Sequence, residues 1–141
     1  MKYHFEVSRD ENGIYIGECI ELDSCMTYGD TIEDLNANLT EALEGVLQVN
    51  FGNNFAHPLP DVTLDNNPDL LQIEVSSDIA FTVMIRHYRI NKHLTQEVMG
   101  EAMGLKNRNS YVKLERQGNP TITTIGKILK AFPDFPLQAC F

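Results

Sequence analysis

The apolar residues of this 141-residue chain change their period near residue 30, and that change restricts the fold more than any single motif. Up to that point they alternate. Tyr3, Phe5 and Val7 are interleaved with His4, Glu6 and Ser8, the pattern of a half-buried strand, and Ile14, Ile16, Glu18 and Ile20 resume it after Asp10-Glu11-Asn12-Gly13. The Asn-Gly pair predicts a two-residue type I′ hairpin there. A turn at Asp23-Ser24 leads to a third short strand, Cys25 to Tyr28. After Gly29 the period becomes helical, with Asp30 as the expected cap and Glu33 completing a capping box. Ile32, Leu35, Leu39, Leu43, Val46 and Leu47 share one face, opposite Asp34, Asn38, Glu41, Glu44 and Gln48. A three-stranded antiparallel sheet with one covering helix follows. Leu70 to Val75 is either a fourth strand on its edge or a dimer contact.

Charge divides the chain in the same sense. Residues 1–80 carry 2 Lys/Arg against 16 Asp/Glu, whereas residues 81–141 carry 9 against 4, so local net charges of −14 and +5 hide behind a total of −9. One end repels nucleic acid and the other attracts it. The expected organisation is an acidic domain over 1–52, extending to 75 if the fourth strand forms, a linker over 53–78 rich in Asn, Pro, Gly and Asp, and a basic domain over 79–141. Domains this small gain stability by association, so a homodimer or higher oligomer is expected. No segment approaches the roughly 18 apolar residues of a membrane span, and the first residues, MKYHFEV, alternate rather than forming the apolar stretch of a signal peptide. The expectation is a soluble cytoplasmic protein without a membrane partner.

Cys19, Cys25 and Cys140 are odd in number and contain no CxxC pair, and His4, His57, His87 and His93 form no HExxH-like pattern with carboxylates. Neither metal nor cofactor is expected. Asp10, Glu18, Glu21 and Asp23 lie on or beside strands, and a metal-dependent nuclease would need several converging carboxylates. Solvated strand and turn residues are the simpler reading, so no catalytic residue is assigned.

The basic end reads as helices. Phe81, Met84, Ile85 and Tyr88 form one stripe that stops at His93-Leu94; Thr95 caps a second helix ended by Gly104; Asn107 caps a third over Arg108 to Gln117; and Thr121 or Thr123 starts a fourth, with Ile122, Ile125, Ile128, Leu129 and Phe132 inward. Two short helices joined by a Gly-containing turn are the helix-turn-helix plan. The string LTQEVMGEAMG followed by SYVKLERQGNPTITTIGKIL resembles the phage-repressor (XRE) type, matched at Thr95-Gln96, Gly104, Leu114-Glu115, Gly118, Pro120 and Thr124. The stretch from Gly104 to Glu115 is one residue longer than usual for that type.

In such a domain Thr95 and Gln96 meet phosphate at a helix N-terminus, and Arg108 and Asn109, foremost on the third helix, reach base edges in the major groove of double-stranded operator DNA. Asn107 and Lys113 flank them, and Lys106 and Arg116 reach phosphate. Arg89 and Glu115 match positions that form a structural ion pair in repressors of this type; the rival reading makes Arg89 a phosphate contact.

The acidic end carries a second likeness. DENGIYIGECIELDSCMTYGDTIEDL resembles the HicB antitoxin domain at Gly13, Tyr15, Leu22, Cys25, Thr27, Gly29, Asp30, Thr31 and Glu33. The resemblance implies a partial RNase H-like α+β domain joined to an all-α DNA-binding domain. It implies an antitoxin that neutralises a small basic HicA-type mRNA interferase and represses its own operon, not an enzyme. Glu18, Glu21 and Asp23 are the candidate toxin contacts. The alternative is a stand-alone transcriptional repressor with a ligand-sensing acidic domain, which predicts a closed apolar pocket in residues 1–75.

Overall fold

A computed structural model describes residues 1–141. The chain divides into two compact units, residues 1–49 with 58–76, and residues 50–57 with 77–141. The first is α+β and the second is helical.

In the first unit, β1 (Lys2–Arg9), β2 (Tyr15–Cys19), β3 (Met26–Gly29) and β4 (Leu71–Glu74) form one antiparallel sheet in the order β3-β2-β1-β4. The segment with two open readings is therefore a strand: β4 pairs with β1, Tyr3 opposite Ile73 and Phe5 opposite Leu71. The β1–β2 hairpin differs from the expected type I′ turn. Asp10 O accepts from Gly13 N at 3.1 Å, Asp10 Oδ1 takes the amides of Asn12 and Ile14 at 2.9 Å each, and Gly13 alone has a positive φ, +81°. This is a three-residue loop closed by a left-handed glycine, and the Asp10 side chain selects it by offering the backbone an acceptor.

Helix α1 (Ile32–Gln48) covers one face of the sheet. Its cap is Thr31, whose hydroxyl accepts from Asp34 N at 3.1 Å, and not the expected Asp30. Leu35, Leu39, Leu43 and Leu47, four residues apart, are buried with Tyr3 and Phe5, and each such side chain contributes about 1.5–3 kcal/mol by leaving water.

Residues 53–78 do not behave as the expected linker. They contain a 3-10 turn at Val62–Leu64, capped by Asp61, then β4 and the first residues of the next helix. Tyr3 donates to Pro58 O at 2.8 Å, and Gln72 Nε2 donates to Asp65 O at 2.6 Å. Asn, Asp and Pro mark irregular backbone, but irregular backbone still needs hydrogen-bond partners, and the sheet's neighbouring side chains supply them.

The second unit is built around α2 (Ser77–Asn91), which starts four residues before the expected stripe because Ile79 and Ala80 are buried as well. His93, at φ 57°, ends it in a Schellman closure with Leu94 N on Arg89 O and His93 N on Ile90 O. Helices α3 (Gln96–Ala102), α4 (Arg108–Gln117) and α5 (Ile122–Ala131) follow, and a 3-10 turn at Leu137–Cys140 returns against α2. Tyr88 meets Phe132 and Phe135 edge-on, with centroids 5.6 and 5.3 Å away. Residues 50–57 also belong to this unit, where Phe55 lies edge-on to Phe51 and His57.

Candidate nucleic-acid interface

The α3–turn–α4 geometry is set locally. Thr95 Oγ1 accepts from Val98 N at 3.1 Å and begins α3; Leu105 N on Gly100 O and Gly104 N on Glu101 O, both 2.9 Å, end it. Asn107 Oδ1 then accepts from Ser110 N at 3.0 Å and from Ser110 Oγ at 3.1 Å, so the side chain expected beside the bases serves first as the cap of α4. The longer turn, Leu105 to Asn107, accommodates its extra residue between these two closures.

Beneath the turn lies a buried ionic network. The side chains of Arg89 and Glu115 are each 1% exposed, and Arg89 Nε donates to Glu115 Oε1 at 2.5 Å. Glu115 also accepts from Tyr111 OH at 2.8 Å and Gln96 Nε2 at 2.9 Å, while Arg86 approaches within 3.6 Å. Arg89 also donates to Leu94 O and Asn53 O. Burial, reinforced by the Glu115 charge, pushes the Tyr111 hydroxyl well above its ordinary range, so Tyr111 remains a donor. Arg89 is thus enclosed by protein partners, which supports the structural ion pair over the phosphate-contact reading.

Gln96 is placed differently from the expectation. It is 6% exposed, and its amide bridges the network to the surface: Nε2 donates to Glu115, and Oε1 accepts from Arg108 Nη2 at 2.9 Å. Because one neighbour accepts and the other donates, the amide orientation is unambiguous. In this arrangement Gln96 holds Arg108.

Arg108, 45% exposed, stands at the first position of α4 with Glu97 Oε1 3.9 Å from its Nε. Asn109, Lys113 and Arg116 are exposed at positions i, i+4 and i+7 of the same helix, and Lys106 is exposed in the turn before it. A cleft of about 230 Å³ brings Thr95, Gln96 and Arg108 together with Glu97 and two residues absent from the sequence-derived set, Asn53 and Asn54. No local pattern marks those two.

In the first unit, Glu18 and Asp23 are exposed, but Glu21 is turned inward, its side chain 5% exposed. Glu21 accepts from the backbone N and ring Nδ1 of His4 and from Asp61 N, and the other ring nitrogen of His4 lies 2.9 Å from Asp65 Oδ1. The fold therefore gathers a histidine and two carboxylates that no sequence spacing announces. Both ring nitrogens are occupied, and Glu21 is a support for the 57–65 segment instead of the expected surface contact. All three cysteines are free and buried.

Residues 85–138 match the helix-turn-helix family model, that of a DNA-binding regulatory domain. A stretch of 48 residues is 40% identical to the UPF0150 protein ssr1258 of Synechocystis sp., covering 34% of this chain and 70% of that protein. The chain belongs to the UPF0150 family. The helix-turn-helix of this UPF0150 member supports a role in transcription regulation, with double-stranded DNA as partner. None of its helices is long and apolar enough to cross a membrane.

Proposed function

We propose that this chain is a HicB-like antitoxin and autorepressor, whose second unit binds operator DNA while its first unit covers a small basic HicA-type ribonuclease. The observation that carries the reading is a contrast between two surfaces. On α4 the exposed charged side chains are cationic: Arg108, Lys113 and Arg116. On the sheet face opposite α1, Glu6 stands directly across from Glu18, with Met26, next across from Glu18, and Tyr28 exposed at 54% and 65%. Like charges in register destabilise a sheet by a few tenths of a kcal/mol or more, and a cationic partner side chain between them reverses the sign. Steering by the acidic face favours encounter, and the apolar side chains beside it favour residence.

A stand-alone sensor predicts an apolar pocket in the first unit. The cleft of about 450 Å³ found there is half open and mixed in lining, Val7, Ile16 and Leu70 beside Glu6, Ser8, Glu18, Asn67 and Asp69, and so differs from the closed apolar pocket of that alternative.

The test is co-expression with the neighbouring reading frame. A basic product that co-purifies with the chain, is released by Glu18→Lys and has its toxicity relieved by the wild type supports the proposal. Failure of the wild type to bind or neutralise it refutes the antitoxin half. A gel shift on the DNA upstream of the gene, abolished by Arg108→Ala with Lys113→Ala, tests the repressor half separately.

A further inference from the structure

Residues 50–57 separate the two parts of the acidic unit in sequence, yet they fold as part of the helical one. Phe55 stacks edge-on against Phe51 at 5.0 Å and His57 at 4.8 Å, and the backbone carbonyl of Asn53 is held by Arg89 Nη2. The turn is closed by Gly52 N on Asn50 Oδ1 at 2.9 Å and Phe55 N on Gly52 O at 3.3 Å. It leaves the side chains of Asn53 and Asn54 exposed on the wall of the cleft that also holds Thr95 and Arg108.

We infer that Asn53 and Asn54 are DNA contacts, forming with Arg108 and Thr95 a seat for a backbone phosphate of the duplex. The inference rests on the DNA-binding role of the second unit and extends its interface to a segment outside the helix-turn-helix match at residues 85–138. Three observations favour phosphate. Every lining residue is polar or charged, with amide and hydroxyl donors around the guanidinium of Arg108 and that of Arg89, buried behind it, at the base; this is the donor set that proteins direct at phosphate oxygens. The anchor of the segment is a main-chain carbonyl, so both Asn amides remain available to a ligand. Finally, residues 50–57 contain no Asp or Glu, although residues 1–80 hold 16. A strap that blocked the DNA face by mimicking nucleic acid would carry such charges here. The one carboxylate of the cleft, Glu97, is 69% exposed and comes from α3; its nearest cation is Arg108, 3.9 Å away.

The test uses the full chain and two fluorescent duplexes of about 60 base pairs, one from immediately upstream of the gene and one scrambled, titrated across a salt series. Replacing both residues, Asn53→Ala with Asn54→Ala, is expected to weaken binding to both duplexes by about tenfold with the salt slope unchanged, because neutral donors release no counterions. Asn54→Lys is expected to tighten both and to steepen the slope by about one. An affinity within twofold of wild type for the double alanine variant overturns the inference, and tighter binding overturns it in favour of a covering strap. Failure of the wild-type chain to bind either duplex overturns the DNA reading itself, and this extension with it.

Discussion

Replacing Glu115 by alanine should unfold the second unit before it alters DNA sequence preference. The carboxylate is 1% exposed and receives Arg89, Gln96 and Tyr111. Alanine leaves the Arg89 guanidinium, also 1% exposed, facing only the two backbone carbonyls of Leu94 and Asn53. Removing one partner of a buried ion pair costs about 3–5 kcal/mol, because the surviving charge stays out of water. A small domain has about 5–15 kcal/mol in total, so the variant unit loses a third or more of a typical stability, with a loss in Tm on the order of 20 °C. Urea unfolding of the full chain measures the loss, and hydrogen exchange of α2 and α4 amides locates it in the second unit. The double variant Arg89→Met with Glu115→Leu separates the cause: an apolar pair should restore most of the stability, since no charge is left buried. A Glu115→Ala chain within about 1 kcal/mol of wild type would refute the reasoning, as would a double variant no more stable than the single one.

Gly118 and Gln96 offer two further checks. A Cβ on Gly118 would lie 1.9 Å from Asp78 O with the backbone at φ +59°, so Gly118→Ala should cost more than the usual 1 kcal/mol or so of left-handed strain and shift the α4–α5 junction against α2, visible as a lower urea midpoint. Gln96→Ala removes the 2.9 Å anchor of Arg108 and one donor of Glu115; the expected result is a stability loss of about 1–2 kcal/mol and three- to tenfold weaker DNA binding, alike for operator and scrambled duplexes. Unchanged affinity would reduce Gln96 to a purely structural role.

Much of the fold was legible because its signals are short-range. Thr95, Asn107 and Thr121 each bond the amide three residues ahead, and Gly104 ends α3 through contacts no more than five residues back, so local reading places α3, α4 and α5. The sheet's alternation and the leucine stripe of α1 are equally local. The hairpin and the α1 cap show where that breaks down: Asp10 and Thr31 competed successfully with Asn12 and Asp30 for the same task, and only backbone angles decide between such neighbours. At the site, exposure of Arg108, Asn109, Lys113 and Arg116 follows from helix phase, whereas the inward turn of Gln96 depends on a carboxylate 19 residues away.

By itself, then, the order of residues determined the first three strands and the main helices, where the helix-turn-helix lies and how charge is apportioned between the two ends, since each depends on neighbours within about a turn or on a simple count. Tertiary structure alone decided that β4 closes onto β1, that His4 lies between Glu21 and Asp65 and that Asn53 reaches Arg89 across 36 positions of chain. Those pairings leave no periodic trace, because they satisfy buried polar groups with whatever partner the packing brings within hydrogen-bond reach.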